Sequence, residues 1–110
     1  MLRVLAALTL LGSSCGMPDA APTIAEVLAD PARFHEQLLE LDGEASNGSG
    51  VFSFGVYDFD DGSGTMSVVT TAGLPSDGSR FRLRGRVSTG VTLGGRRFGV
   101  ALYEEERMYE

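Results

Sequence analysis

Residues 79–88 read SRFRLRGRVS, and the alternation in this stretch decides the fold class. Its apolar and small residues occupy every second position, and its arginines occupy the positions between them. The first set is Phe81, Leu83, Gly85 and Val87, and the second is Arg80, Arg82, Arg84 and Arg86. Successive side chains of a β-strand point to opposite faces, so the pattern predicts a strand with one buried face and one arginine-rich face.

The same period of two recurs along the chain. In residues 38–45, LLELDGEA, an apolar or small residue alternates with the carboxylates of Glu40, Asp42 and Glu44. Further strands are predicted at residues 51–59, 66–71 and 97–104. Turn-rich residues predict a loop at 47–50, a hairpin turn at 60–64 and a turn at 90–95, and the charged end of the chain is expected to fray. Five short strands with many glycines predict an all-β fold, a small closed barrel.

A short helix is predicted before the barrel. Thr23 can cap it, and Glu26 follows at the spacing of a capping box. An apolar face follows at helical spacing, and Pro31 is expected to end the helix, because the residue before a proline avoids the α region. The sequence therefore predicts one N-terminal helix followed by strands.

Several segments together resemble the bacterial OB-fold pattern. They are residues 23–34, TIAEVLADPARF; residues 56–64, VYDFDDGSG; residues 73–78, GLPSDG; and residues 83–87, LRGRV. In such domains a short helix precedes the barrel, a strand ends in Asp-Gly-Thr-Gly, and a Gly-Leu-Pro turn leads to a strand with Val-x-Gly-x-Val. The resemblance covers about residues 23–104 and implies a five-stranded Greek-key OB-fold barrel without the helix often found between strands three and four. OB-folds bind nucleic acids, oligosaccharides, peptides or proteins, so the resemblance implies a fold and no particular activity.

The arginines of residues 80–86 have two interpretations. They could form a stripe that binds an anion. In an OB-fold, however, the first strand pairs with the fourth, which would place the carboxylates of Glu40, Asp42 and Glu44 opposite them. We favour this second interpretation, because it accounts for both charged rows and fixes the register of the two strands.

The second strand carries four aromatic residues, Phe52, Phe54, Tyr57 and Phe59. A bulge at Gly55 would bring all four into the core, and this is the interpretation that we favour. Without a bulge, Phe52 and Phe54 lie on the outer surface that OB-folds commonly use for ligands, where they could stack on bases, sugars or peptide side chains. Phe52, Phe54 and Val56 are therefore the candidate ligand-binding residues.

The N-terminus, MLRVLAALTLLGSSCG, has the layout of a bacterial export signal: a basic residue, an apolar run and small residues before Cys15. The end of this segment resembles the lipobox of bacterial lipoproteins, which implies cleavage before Cys15 and lipidation of its sulfur. The usual Leu three residues before the cysteine is replaced by Gly12, and ordinary cleavage after Ser14 or Gly16 is the alternative. We expect a signal peptide at 1–14, a lipidated tether at 15–22, a barrel domain at 23–106 and a tail at 107–110.

Charge and composition narrow the function. Without the signal peptide, 8 arginines and 15 acidic residues give a formal charge of −7, which disfavours nucleic acid as a partner. The single histidine, His35, makes a zinc site improbable, and no nucleophile elbow, P-loop or dinucleotide fingerprint occurs. We expect no cofactor, no metal and no catalytic residue.

The sequence therefore predicts a membrane-anchored, non-catalytic protein of the bacterial cell envelope, facing the periplasm or the cell surface, that binds a protein, peptide or small ligand. The alternative is an OB-fold that binds nucleic acid.

Overall fold

The computed structural model describes residues 22–51 and 53–109. The predicted signal peptide, Cys15 and Phe52 lie outside these residues. The described elements, in chain order, are α1 (Ile24–Ala29), α2 (Pro31–Phe34), β1 (Leu38–Val51), β2 (Phe54–Asp60), β3 (Thr65–Thr70), β4 (Arg80–Leu93) and β5 (Arg96–Tyr109).

The five strands close into a barrel in the order β1-β2-β3-β5-β4, with β4 returning to β1. Neighbouring strands are antiparallel except β3 and β5, which run parallel. This connectivity is that of the OB-fold, and closure leaves no open sheet edge around the barrel itself. The predicted fold class, an all-β five-stranded OB-fold barrel, is confirmed.

Two short helices precede the barrel, where the sequence predicted one. The predicted capping box at Thr23 and Glu26 is present. Pro31 ends the first helix as predicted, since α1 stops at Ala29 and Asp30, before the proline, is not helical. Pro31 also begins α2, because the first turn of a helix needs no N–H from that residue. The first helix is held to the β2–β3 turn by the Ile24 N–H, which donates to Asp61 Oδ2 at 3.0 Å.

The barrel interior is filled by inward-facing residues of all five strands, and the two helices cover it with Ile24, Val27 and Phe34. Among the aromatic residues of β2, Tyr57 and Phe59 belong to this main core and are 1% and 0% exposed. Both rings lie near Phe81 of β4, with centroids 6.3 and 5.2 Å away.

The charged rows of β1 and β4 face each other as predicted. The register pairs Glu40 with Arg84, Asp42 with Arg82 and Glu44 with Arg80. Strand β5 adds carboxylates on the other side of β4. The closest N–O distances are 3.1 Å for Arg80–Glu44, 3.6 Å for Arg82–Asp42, 3.6 Å for Arg84–Glu40, 3.1 Å for Arg84–Glu106 and 3.3 Å for Arg86–Glu105. Carboxylates on two strands thus pair with the arginine row, which favours the structural interpretation over an anion-binding stripe.

Strand β1 runs through the segment predicted as a loop. It continues to Val51, and its register against β2 shifts between Ser46 and Ser49. Asn47 has a positive φ of 54°, a conformation that Asn tolerates better than most residues. The bulge therefore lies in β1, and the predicted bulge at Gly55 is wrong, since β2 pairs with β3 without interruption from Gly55 to Asp60.

Strands β4 and β5 are also longer than predicted, with the turn between them reduced to Gly94 and Gly95. The prediction that the end of the chain frays is wrong, since β5 continues to Tyr109, whose ring lies 5.2 Å from that of Phe81. Arg107 and Tyr109 therefore belong to the barrel and not to a separate tail.

A second irregularity lies in β5 opposite Gly85. Arg84 pairs with Glu106 and Gly85 pairs with Glu104, so Glu105 is an extra residue on the β5 side. The bulge leaves Glu104 and Arg107, three residues apart, on the same inner side of the barrel. A regular strand would place them on opposite faces.

Gly85 is the residue that this bulge requires. A Cβ there would lie 2.6 Å from the Tyr103 carbonyl oxygen and 2.8 Å from Leu102 Cγ. We predict that Gly85→Ala lowers the free energy of unfolding by about 1–3 kcal/mol, the usual cost of overpacking a dense interior.

Urea denaturation checks this prediction, with Gly99→Ala as the matched control, because a Cβ at Gly99 meets nothing within 4 Å. Equal effects of the two substitutions would contradict the role given to Gly85.

Candidate functional site

The candidate residues of β2 lie at a second apolar cluster, outside the main core. It contains Val56, Val69, Val91, Phe98 and Ala101, each at most 7% exposed, with Phe54 and Leu93 packed against it at partial exposure. Val56 and Val69 sit between inward-facing neighbours of β2 and β3, so they lie on the outer face of these strands. The cluster joins this outer face to the distal part of the β4–β5 hairpin.

This arrangement changes what each candidate residue can contact. Val56 is 5% exposed and packs within the protein, whereas Phe54 is only partly buried. Phe52 lies outside the described residues. The prediction that these residues bind a ligand stays a prediction. Of the two candidates that the structure describes, Phe54 is the one that reaches the surface.

Phe54 forms part of a groove of about 290 Å³ at the end of β2 and β3. Its lining is uncharged: Gly50, Ser53, Phe54, Gly55, Thr70, Thr71, Gly73 and Leu74. Charged residues make up 22% of the chain, so this local absence of charge distinguishes the groove from the surface around it. Apolar side chains, hydroxyl groups and glycine backbone are the chemistry that it offers.

Leu74 forms one wall of the groove although it is 42% exposed. Its side chain lies against the backbone of the neighbouring strands: a Cβ at Gly55 would lie 2.7 Å from Leu74 Cδ2, and one at Gly48 would lie 3.3 Å from the same atom. The glycine at position 55 therefore makes the room that Leu74 occupies. Sequence reasoning missed Leu74, because its segment, GLPSDG, is typical of a turn.

A buried polar cluster lies behind the groove. Glu104 and Arg107 form an ion pair with an Nη2–Oε1 distance of 3.0 Å, and their side chains are 3% and 11% exposed. The hydroxyl of Tyr57 donates to Glu104 Oε1 at 2.5 Å, and the hydroxyl of Thr70 donates to Oε2 at 3.1 Å. Both carboxylate oxygens of Glu104 are thus occupied, as a buried charge requires.

Arg107 connects this cluster to the groove wall. Its Nη2 donates to the Gly73 carbonyl oxygen at 2.9 Å, next to Leu74 in the chain. The guanidinium carbon lies 5.4 Å from the ring centroid of Phe81 and 5.7 Å from that of Tyr57. Arg107 therefore holds the β3–β4 connection in place as well as pairing with Glu104.

The environment of Tyr57 keeps its hydroxyl protonated. Burial raises the pKa of Tyr57 well above the ordinary value of 10.0, and the hydrogen bond to the Glu104 carboxylate raises the pKa further. The Tyr57 hydroxyl acts as a hydrogen-bond donor to Glu104 and is unsuited to accept a proton from a ligand at neutral pH. The cluster therefore fits a structural role in the barrel.

Other chemistry is sparse in the part of the chain that the structure describes. His35 Nδ1 accepts from the Thr89 N–H at 3.2 Å, and its side chain is 42% exposed. Residues 22–51 and 53–109 contain no group of three or more histidine, cysteine, aspartate or glutamate side chains placed to hold a metal ion. Within the same ranges, no helix has the length and apolar character to cross a membrane.

Comparison of the chain with protein-family models and with curated proteins finds no match.

The buried ion pair yields a stability prediction. We expect Arg107→Met to lower the free energy of unfolding by about 3–5 kcal/mol, because it leaves the Glu104 carboxylate buried without its cation. The double variant Glu104→Gln/Arg107→Met removes both charges and is expected to recover part of that loss.

Chemical denaturation of the single and double variants measures how much of the stability lost in Arg107→Met is recovered when Glu104 is also replaced. Arg80→Met is the control, because its pair with Glu44 is exposed and worth about 0–1 kcal/mol. A double variant no more stable than Arg107→Met would show that the unpaired carboxylate is not what destabilises the protein.

Proposed function

We propose that this chain is an exported, lipid-anchored OB-fold protein of a bacterial cell envelope that binds a protein segment, peptide or small ligand without catalysing a reaction. The ligand occupies the groove beside Phe54 and Leu74 and is uncharged where it contacts the protein. The uncharged lining of this groove, within a chain of formal charge −6, is the observation that carries the proposal.

The groove lining supports a ligand with both apolar and hydrogen-bonding parts. Phe54 and Leu74 offer apolar contact, and the hydroxyls of Ser53 and Thr71 offer hydrogen bonds. Thr70 already donates to Glu104 and is 1% exposed, so its hydroxyl contributes to the groove wall more than to a ligand. Few polar groups in a mostly apolar concave surface are typical of small-ligand sites.

The position of the groove fits attachment through Cys15. The chain joins the barrel at Ile24, which bonds to Asp61 beside the β2–β3 turn, whereas Phe54 and Thr70 lie at the opposite ends of β2 and β3. The seven residues of β2 separate these ends by roughly 20 Å at about 3.3 Å per residue. The chain therefore enters the barrel at the end opposite the groove, which is compatible with attachment through Cys15.

Nucleic acid is the alternative ligand, and the charges disfavour it. No arginine lines the groove, and the arginines of residues 80–86 face carboxylates on β1 and β5. Binding of a phosphate backbone requires several basic side chains that are free to contact it. Among the described arginines, those without an ion pair are Arg33, Arg96 and Arg97, and none of them lines the groove.

Lipid attachment can be tested on the mature protein. We predict that mass spectrometry finds Cys15 as the N-terminal residue with acyl chains, and that the protein fractionates with membranes. Cys15→Ser should carry no acyl chains, because serine offers no sulfur to lipidate.

Gly12→Leu is the matched control, since it restores the usual residue of the lipobox and should retain membrane attachment. A mature N-terminus at Met17, or at a Cys15 without acyl chains, would contradict lipidation and leave export itself supported.

Ligand binding at the groove can be tested with Nile red, an uncharged dye that fluoresces in apolar sites. We predict that Leu74→Ser weakens dye binding roughly fivefold or more, because it removes an apolar wall. Leu28→Ser is the matched control: Leu28 lies on α1 and is 41% exposed, against 42% for Leu74.

Equal loss in both variants would refute the groove as the site. Tight, salt-sensitive binding of a single-stranded oligonucleotide would instead favour the nucleic-acid alternative.

A further inference from the structure

The distal β4–β5 hairpin is the basic part of an acidic domain. Residues 87–103 contain Arg96 and Arg97 and no carboxylate, so every aspartate and glutamate of the described chain lies outside this segment. Its charge is therefore opposite in sign to that of the whole chain, which is −6.

The two arginines differ from most others in the described ranges by making no ion pair. Arg96 lies over the ring of Phe98, with its guanidinium carbon 4.8 Å from the centroid, and both Arg96 and Arg97 are exposed. Arg33 is the comparable residue elsewhere, stacked on Phe34 at 4.9 Å. The arginines of β4 and Arg107 are engaged with carboxylates.

The backbone beside Arg96 and Arg97 is a strand edge. Residues 96–100 pair with β4 on one side, but pairing with β3 begins only at Ala101. No described strand pairs with residues 96–100 on their other side. The barrel is closed, yet this extension of β5 presents backbone N–H and C=O groups to an incoming strand.

We propose that residues 96–100 bind an extended acidic segment of another protein by strand addition. Main-chain hydrogen bonds would supply affinity, and carboxylates opposite Arg96 and Arg97 would select the partner. Since adjacent residues of a strand point to opposite faces, the partner needs two adjacent acidic residues, one for each arginine.

Charge favours an acidic segment over two other candidate occupants of this edge, a second copy of the chain and a lipid surface. A second copy of the chain, paired through the same edge, would add two more arginines and supply no carboxylate to pair with them, since residues 87–103 contain none. A lipid surface would meet only one arginine at a time, because the two point to opposite faces, and Val91 and Phe98 are buried against the barrel. The strand edge at residues 96–100 lies outside the groove, and its proposed role does not depend on lipidation of Cys15.

Three blocked synthetic peptides test the proposal with the full chain. TVEEVTV carries two adjacent glutamates, and TVQQVTV replaces them with neutral isosteres. TPEEPTV keeps the charge, and its two prolines lie at positions of opposite parity, so one ladder hydrogen bond is lost whichever N–H groups face the edge. We expect binding in the order TVEEVTV, then TPEEPTV, with TVQQVTV weakest, measured by isothermal titration calorimetry. Binding of TVEEVTV should weaken as salt is raised.

Paired variants identify the residues. The double variant Arg96→Gln/Arg97→Gln is expected to weaken binding of TVEEVTV roughly five- to tenfold, the effect of two cross-strand charge pairs. Arg33→Gln is the control, because Arg33 also lacks an ion pair in the described chain but lies on α2. Circular dichroism establishes that each variant is folded.

Hydrogen–deuterium exchange of the unmodified protein gives a readout that needs no variant. TVEEVTV should protect the amides of residues 96–100. The proposal is overturned by protection elsewhere only, by equal binding of TVEEVTV and TPEEPTV, or by equal loss in Arg33→Gln and the double variant. Binding to vesicles of phosphatidylglycerol, with none to TVEEVTV, would assign the edge to a lipid surface instead.

Discussion

The ion pair between Glu104 and Arg107 depends on a single extra residue in β5, and much of the barrel depends on that pair. Glu105 opposite Gly85 is what leaves both side chains inside, where a regular strand would have directed one of them outward. A buried pair is costly unless its remaining hydrogen-bonding groups are satisfied. Tyr57, Thr70 and the Gly73 carbonyl satisfy them, so the pair connects β2, β3 and the β3–β4 connection to β5.

The sequence predicts best the two strands that pair with each other and have the same alternation of buried and charged residues. Residues 38–44 and 80–86 alternate with the same period and carry opposite charges, so local periodicity and long-range pairing agree. The charged rows therefore predict register as well as strand, and the capping box predicts the start of α1 from local hydrogen bonds alone.

The features that the sequence does not predict arise from contacts between distant segments. Residues 47–51 and 90–93 are rich in glycine, threonine and serine and resemble turns locally, but partner strands extend β1 and β4 through them. Arg107 sits in the charged run EEER, where no local signal separates a buried pair from solvated residues. The groove is missed for the same reason, because Leu74 becomes its wall only when it lies on Gly55 of another strand.

The distribution of charge leaves this small barrel with two surfaces of different chemistry. Carboxylates on β1 and β5 engage the arginines of β4, so that row of positive charge serves the barrel itself. The two surfaces that we propose for recognition, an uncharged groove and a basic strand edge, lie outside that row. Phe54 packs against the apolar cluster to which Phe98, beneath Arg96, belongs, so the two surfaces share one apolar support. Their ligands would need different chemistry, and an acidic strand on residues 96–100 would have no charged group to contact in the groove lining.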